Sequence, residues 1–248
     1  MTRATISKFL ASALALVVAS ATPSVAQQTD TAAQVTLYGW ATGLSGEIRP
    51  LANGPKLEFD SDFGEVLEDL DAAFFLSGFA RYGSAVFLGD LSTSTSSREG
   101  SVPPGIPARG EVTQTSVTLA AGYRAQARPD WTIDFLLGAR FWDIEGEIDA
   151  SAVGIGASRS VSFADPIVAA RTNLRLADRW SFLAYGDVGG FGIGSERTGQ
   201  FVGTVNYAAT DRVVLSAGYR QLYVDYEDDG VELEVTFAGP VFGATFRF

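Results

Sequence analysis

The sequence predicts a transmembrane antiparallel β-barrel of ten up-and-down strands. Three observations predict it: a two-residue hydrophobic period running through most of the chain, connections that alternate between short and long, and an even number of strand segments. If 180–208 holds fewer crossings than this reading assigns, the barrel has eight strands instead.

The first element is a leader. "MTRATISKFLASALALVVASATPSVAQQ" sets Arg3 and Lys8 before an apolar run from Phe9 to about Ala19, and Ser24 and Ala26 put small residues at a cleavage site. The run is too short for a membrane helix, which needs about 20 apolar residues. The expected division is a signal peptide over 1–26 and a barrel domain over 27–248. Taking Arg3 and Lys8 from the 18 basic residues leaves 16 against 29 acidic ones, a mature net charge of −13, so nucleic acid is not an expected partner. Cysteine and histidine are both absent, which removes disulfides and thiolate chemistry.

The period is clearest in "WTIDFLLGARFW", where Trp131, Ile133, Phe135, Leu137, Ala139 and Phe141 share one face and Thr132, Asp134, Leu136, Gly138, Arg140 and Trp142 the other. "QTSVTLAAGYR" divides in the same way. The predicted strands are 34–48, 72–82, 84–97, 110–125, 131–147, 163–177, 180–194, 197–208, 212–227 and 231–248. "YGS", "AQARPD", "LADR" and "AATD" are short turns for the periplasmic side, whereas 49–70, 98–109 and 147–162 read as long extracellular loops.

A lipocalin-like barrel would turn its greasy face inward, and a membrane barrel turns it to lipid. The second face decides for the membrane, because it carries Asp134, Arg140, Arg171, Asn173, Asp187 and Arg220 among many small residues. Tyr82, Tyr123, Trp131, Trp180, Tyr207 and Phe248 sit beside the short turns, where an interfacial aromatic girdle belongs. The terminal "GPVFGATFRF" places Phe242, Phe246 and Phe248 outward, with Gly243, Thr245 and Arg247 inward. Pro166 suits a strand's start, and Pro240 calls for a bulge or a place above the lipid band.

In the first long loop, "DSDFGEVLEDLD" spaces Phe63, Val66, Leu67 and Leu70 at helical intervals, and Asp62 with Glu65 makes a capping box. The spacing predicts a short amphipathic helix with Phe63 and Leu67 sheltered, covering the barrel mouth or gating it.

"GWATGLSG", "GARFWD" at 138–143, "DP" at 165–166, "YGDVGGFGIGS" at 185–195, "GYRQLYVDY" at 218–226 and the "GP" before "FRF" resemble a broad, largely uncharacterised family of small proteobacterial outer-membrane β-barrel proteins. The resemblance spans nearly the whole mature chain. It implies an outer-membrane location in a Gram-negative bacterium, and a terminal aromatic strand read by the barrel assembly machinery. It brings no activity.

Without histidine, hydrolases that use it as general base or water activator are excluded. A carboxylate mechanism would need facing acids. Asp143, Glu145 and Glu147 on one rim strand and Asp225, Glu227, Asp228 and Asp229 on another read instead as a solvated acidic rim, with cation bridging to lipopolysaccharide as the sharper alternative. "YGDVGGFGIGS" has no following helix and so is no phosphate loop. No cofactor and no resident metal are expected. Counting from the short turns, Asp187 is expected to bond Arg171, Arg220 or both, with Arg140, Asp90 and Asp134 extending a charge network that obstructs the lumen. The expected function is a monomeric, non-enzymatic, structural or surface-interacting barrel amid lipid and lipopolysaccharide. The alternative is a narrow channel for small solutes or apolar molecules.

Overall fold

The computed structural model describes residues 31–49, 57–102, 106–150, 155–228 and 230–248. The expected leader over 1–26 lies outside the described residues. Along the chain come β1 (Thr31–Trp40), β2 (Gly43–Arg49), β3 (Leu57–Ser61), α1 (Phe63–Asp69), β4 (Leu70–Tyr82), β5 (Ala85–Val102), β6 (Ile106–Ala127) and β7 (Trp131–Ala150). They continue with β8 (Ile155–Arg175), β9 (Trp180–Gly190), β10 (Arg197–Ala208), β11 (Val213–Asp228) and β12 (Val231–Arg247).

Ten strands, β1 and β4 to β12, close an antiparallel barrel, sealed where β1 pairs β12 from Gln34↔Arg247 to Trp40↔Val241. β9 and β10 are separate crossings, so the barrel is not eight-stranded. β2 continues β1 along β12 and pairs on its far side with β3, adding a hairpin above the barrel.

Side-chain exposure fixes the orientation of the wall. On β7, Phe135 and Leu137 are 57% and 66% exposed, while Asp134 and Arg140 on the opposite face are fully buried. A soluble barrel would reverse this. Apolar side chains outside and charges inside are the arrangement of an outer-membrane barrel, which spans its bilayer with strands. Among the described residues no helix is long and apolar enough to cross.

Several local expectations are corrected. The segments 98–109 and 147–162 are mostly strand, since β5–β6 pairs up to Val102↔Ile106 and β7–β8 up to Ala150↔Ile155. These extensions bear polar residues on both faces, so no hydrophobic alternation marks them. The first predicted strand breaks at Ala41–Thr42, and β9 stops at Gly190 rather than 194. There Gly190, Phe191 and Gly192 adopt φ of 87°, 54° and 69° and turn the chain.

Pro240 makes no bulge: β11–β12 pairing runs without a shift through Tyr219↔Pro240. The Pro240 carbonyl accepts from Ala41 N, so its missing N–H faces the break between β1 and β2, where no ladder needs it. Pro166 lies inside β8 rather than at its start, one residue beyond the last β8–β9 pair, Ile167↔Gly189. Both prolines sit where a neighbouring ladder stops.

With this orientation, Phe135→Arg or Leu119→Arg lowers stability by about 2–4 kcal/mol near the midplane, measured by urea unfolding of the barrel refolded into liposomes. Ser116→Arg perturbs the lumen instead. Spin labels at 133, 135 and 137 report lipid, and those at 134 and 138 do not.

Candidate functional site

The lumen brings together charges from six strands. Asp134 on β7 stands directly opposite Arg171 on β8 and accepts from it at 3.3 Å, while Arg124 on β6 grips the same carboxylate with two bonds of 2.6 and 3.0 Å. The Arg171 guanidinium also lies 4.0 Å over the Phe79 ring. Arg140, fully buried, crosses the barrel from β7. Its three nitrogens donate to Thr118 on β6 (3.1 Å), Thr198 on β10 (3.1 Å) and Asp187 on β9 (2.6 Å).

A third group forms around Arg220 on β11, which donates to Asp90 on β5 at 3.1 Å, to Gln200 at 2.6 Å and to the Tyr38 hydroxyl. Tyr38 in turn donates to Asp90 at 2.9 Å, and Trp40 stacks on the guanidinium at 4.5 Å. Asp165, also fully buried, takes neutral donors: the Trp142 indole at 3.1 Å and the Ser195 amide at 2.6 Å. It thereby pins the turn after β9 over β8. A Cβ on Gly194 would meet Asp165 Oδ1 at 2.7 Å, so this close approach needs glycine.

The partner expected for Asp187 is therefore wrong. It bonds Arg140, while Arg171 belongs to Asp134 and Arg220 to Asp90. Depth along separate strands cannot rank these partners; lateral register and reach do. Arg171 meets its direct cross-strand neighbour, whereas Arg140 spans to a strand two places away. The lumen is also less polar than expected. Trp40, Phe75, Trp142, Leu222, Val224 and Tyr226 belong to one apolar cluster, and Val86, Leu136 and Tyr185 to a second. On the periplasmic side lies a cavity of about 170 Å³ lined partly by Thr36, Asn173, Thr204 and Asn206, with Asp90, Arg171 and Arg220 also on its wall.

Asp165, Tyr38 and Gln200 were missed as lumen groups, and Arg124, on the inner face by parity, was left out of the charge network. Parity alone would have placed Asp165 on the inner face as well. The stretches that carry the family resemblance supply Arg140 and Trp142, Asp165, Asp187 and Arg220, and the fold draws these five inside.

The aromatic residues Tyr82, Tyr123, Trp131, Trp180, Tyr207 and Phe248 stand at the short-turn end. Trp131 donates to Thr172 at 2.9 Å, Trp180 and Tyr207 rings lie 4.9 Å apart, and the Phe248 amide bonds Ala33 to complete the closure. At the opposite rim Asp143 accepts from Ser162 and Asp225 from Arg197. Asp229 lies outside the described residues. Among the described residues no three acidic side chains converge to hold a metal ion.

No protein-family model matches the chain, and no curated protein sequence does. Among solved structures it is similar to the outer membrane protease OmpT of Escherichia coli, with 9% identity and a TM-score of 0.53, over 92% of this chain and 100% of that one. The attachment invasion locus protein Ail of Yersinia pestis aligns at 16% identity and a TM-score of 0.41, over 88% and 98%. The first likeness shows the fold, and neither extends to activity.

Because Arg140 and Asp187 are buried together, Arg140→Met strands a carboxylate and costs about 3–5 kcal/mol. Adding Asp187→Leu restores much of that loss in urea unfolding. A double variant no more stable than the single one would show that the pair does not govern stability.

Proposed function

We propose that this protein is a non-enzymatic outer-membrane barrel, sealed through its lumen by its own side chains, that works as a structural or surface-interacting element. The observation that carries this reading is Arg140, which ties β6, β7, β9 and β10 together across the interior. Arg220 does the same between β11, β10, β5 and β1, with the Trp40–Trp142 cluster filling further space.

The absence of histidine supports the non-enzymatic assignment. Four arginines, 124, 140, 171 and 220, face four aspartates, 90, 134, 165 and 187, and their bonds serve one another and nearby hydroxyl, amide and indole groups rather than a substrate position. The aromatic girdle and outward phenylalanines suit lipid and lipopolysaccharide as the surroundings. β12, with Phe242, Phe246 and Phe248, suits recognition by the barrel assembly machinery. On this reading the chain works as a monomer, and the stretches quoted above support kinship with small proteobacterial outer-membrane barrels.

In a planar bilayer the intact protein gives no large, steady conductance, and Arg220→Ala or Arg140→Ala introduces brief openings. Porin-like conductance from the intact protein would overturn the sealed lumen and favour the narrow channel.

A further inference from the structure

Above the charged layer, at the extracellular end, a chamber of about 670 Å³ opens between the loop helix and the barrel wall. Its size falls in the range of pockets that take small organic ligands. Trp40, Leu44, Phe63, Leu67, Phe75 and Phe237 give it an apolar lining, and Ser92, Ser94 and Ser96 of β5 form a hydroxyl stripe along one wall. α1 supplies Phe63, Val66 and Leu67 to this lining, yet none of its residues is buried. Phe63 and Leu67 are 41% and 53% exposed, against the expectation that they are sheltered. An amphipathic helix therefore turns its apolar stripe towards a space that no described side chain fills.

The chamber also has a side door. The β1–β4 ladder ends at Leu37↔Leu76, beyond which Tyr38–Trp40 have no β4 partner in the register. Higher up, β12 continues its pairing with β2, and β2 with β3, so the upper edge of β4 is left aside. On the lipid face of this seam lies a groove lined by Leu37, Phe74 and Phe242. Groove and chamber share Tyr38, Gly39, Ala73, Phe75 and Phe242, so the same few residues part the two spaces at the seam. Phe74 lies eight residues above Tyr82 of the girdle. At about 3.3 Å per residue and a tilt of about 40°, that is roughly 20 Å up a band about 25 Å tall, the depth of the outer leaflet.

The chemistry of the lining narrows the occupant. Among the described residues no arginine or lysine lines the chamber and Asp69 is the charged one, so none of them offers a cation to a phosphate or carboxylate headgroup. Trp40 lines the chamber, and its indole N–H is covered and has no hydrogen-bond partner, so a guest that shifts the ring and brings an acceptor satisfies a group the protein leaves unpaired. We propose that the chamber binds a neutral, mainly hydrocarbon molecule bearing a hydrogen-bond acceptor, admitted from the outer leaflet through the β1–β4 seam. This goes beyond the sealed-lumen reading and does not depend on it, because the chamber lies above the charged layer.

The test uses full-length barrel in liposomes and 10-bromo-1-decanol, whose bromine quenches tryptophan on contact. The Trp40 signal is the difference between the intact protein and Trp40→Phe. Saturable quenching of that signal is expected, while the girdle residues Trp131 and Trp180 respond only in proportion to probe in the bilayer. Gly39→Phe blocks the door, and Gly39 tolerates it because an added Cβ meets nothing within 4 Å. Leu67→Asp places charge in the lining. Both variants weaken the saturable component several-fold while barrel stability in urea stays near that of the intact protein. Quenching that never saturates, or is unchanged in both variants, would overturn the proposal. So would quenching by lipids brominated on their acyl chains with no response to bromodecanol, which would assign the chamber to a lipid tail.

Discussion

The wall of this barrel is bounded by hydrocarbon, so a guanidinium in the lumen is solvated only by what the strands supply. That constraint organises the interior. Each of the four central arginines finds a carboxylate: Arg124 and Arg171 share Asp134, Arg140 takes Asp187, and Arg220 takes Asp90. The fourth aspartate, Asp165, is served by an indole and a backbone amide instead. Since Asp134 answers two cations, the four positive and four negative groups balance only over the whole set. Removing Arg140 or Asp187, whose side chains are wholly covered, leaves a buried charge without its counterion, and the shared Asp134 ties further members together, which makes the layer a unit rather than a sum of pairs.

Placing that layer in mid-barrel leaves different materials at the two ends. Towards the short turns, polar side chains such as Asn173, Thr204 and Asn206 surround a small cavity below the charged groups. Towards the long hairpins the interior becomes aromatic, with Trp142, Phe163 and Tyr226 stacked in series at centroid distances of 6.0 and 4.3 Å. β5 to β8 then rise beyond the apolar band as hairpins with polar residues on both faces. The extracellular end of this side is thus built on continuous pairing, up to Val102↔Ile106 and Ala150↔Ile155.

What could be read in the sequence follows from where one face meets lipid. Phe135, Leu137 and Leu119 alternate with buried groups because the membrane imposes a period of two, so strand number and wall orientation were legible. The upper halves of β5 to β8 have water on both sides, no period is enforced, and they read as loops. The partners inside the lumen were beyond reach for a different reason. β7 and β8 join through the hairpin whose length was misjudged, so the register that sets Asp134 opposite Arg171 was unknown. The helix over 63–69 was legible from spacing and its cap, with the Glu65 amide bonding Asp62 at 3.0 Å. Its unfilled apolar face was not, because sequence alone does not show what lies beneath a helix.

The irregularities of the wall cluster on one side of the barrel, and they depend on one another. β1 breaks at Ala41–Thr42 just where β12 carries Pro240, whose carbonyl still takes the Ala41 amide while its nitrogen has nothing to give. Beside it, a Cβ on Gly239 would come within 1.9 Å of the Ala41 carbonyl oxygen, so glycine lets the chain pass this close. Past the break, β2 stays with β12 but takes β3 as its other neighbour, and the top of β4 loses its partner on that side. The seam opens below this break: β1 parts from β4 after Leu37↔Leu76 while Tyr38–Trp40 keep their pairing with β12. The break at 41–42 and the proline–glycine pair opposite it lie higher on the same edge, where β2 follows β12 and turns to β3. The opening therefore follows from β1 and then β2 staying with β12 as the chain rises, which leaves the upper part of β4 without a neighbour on that side.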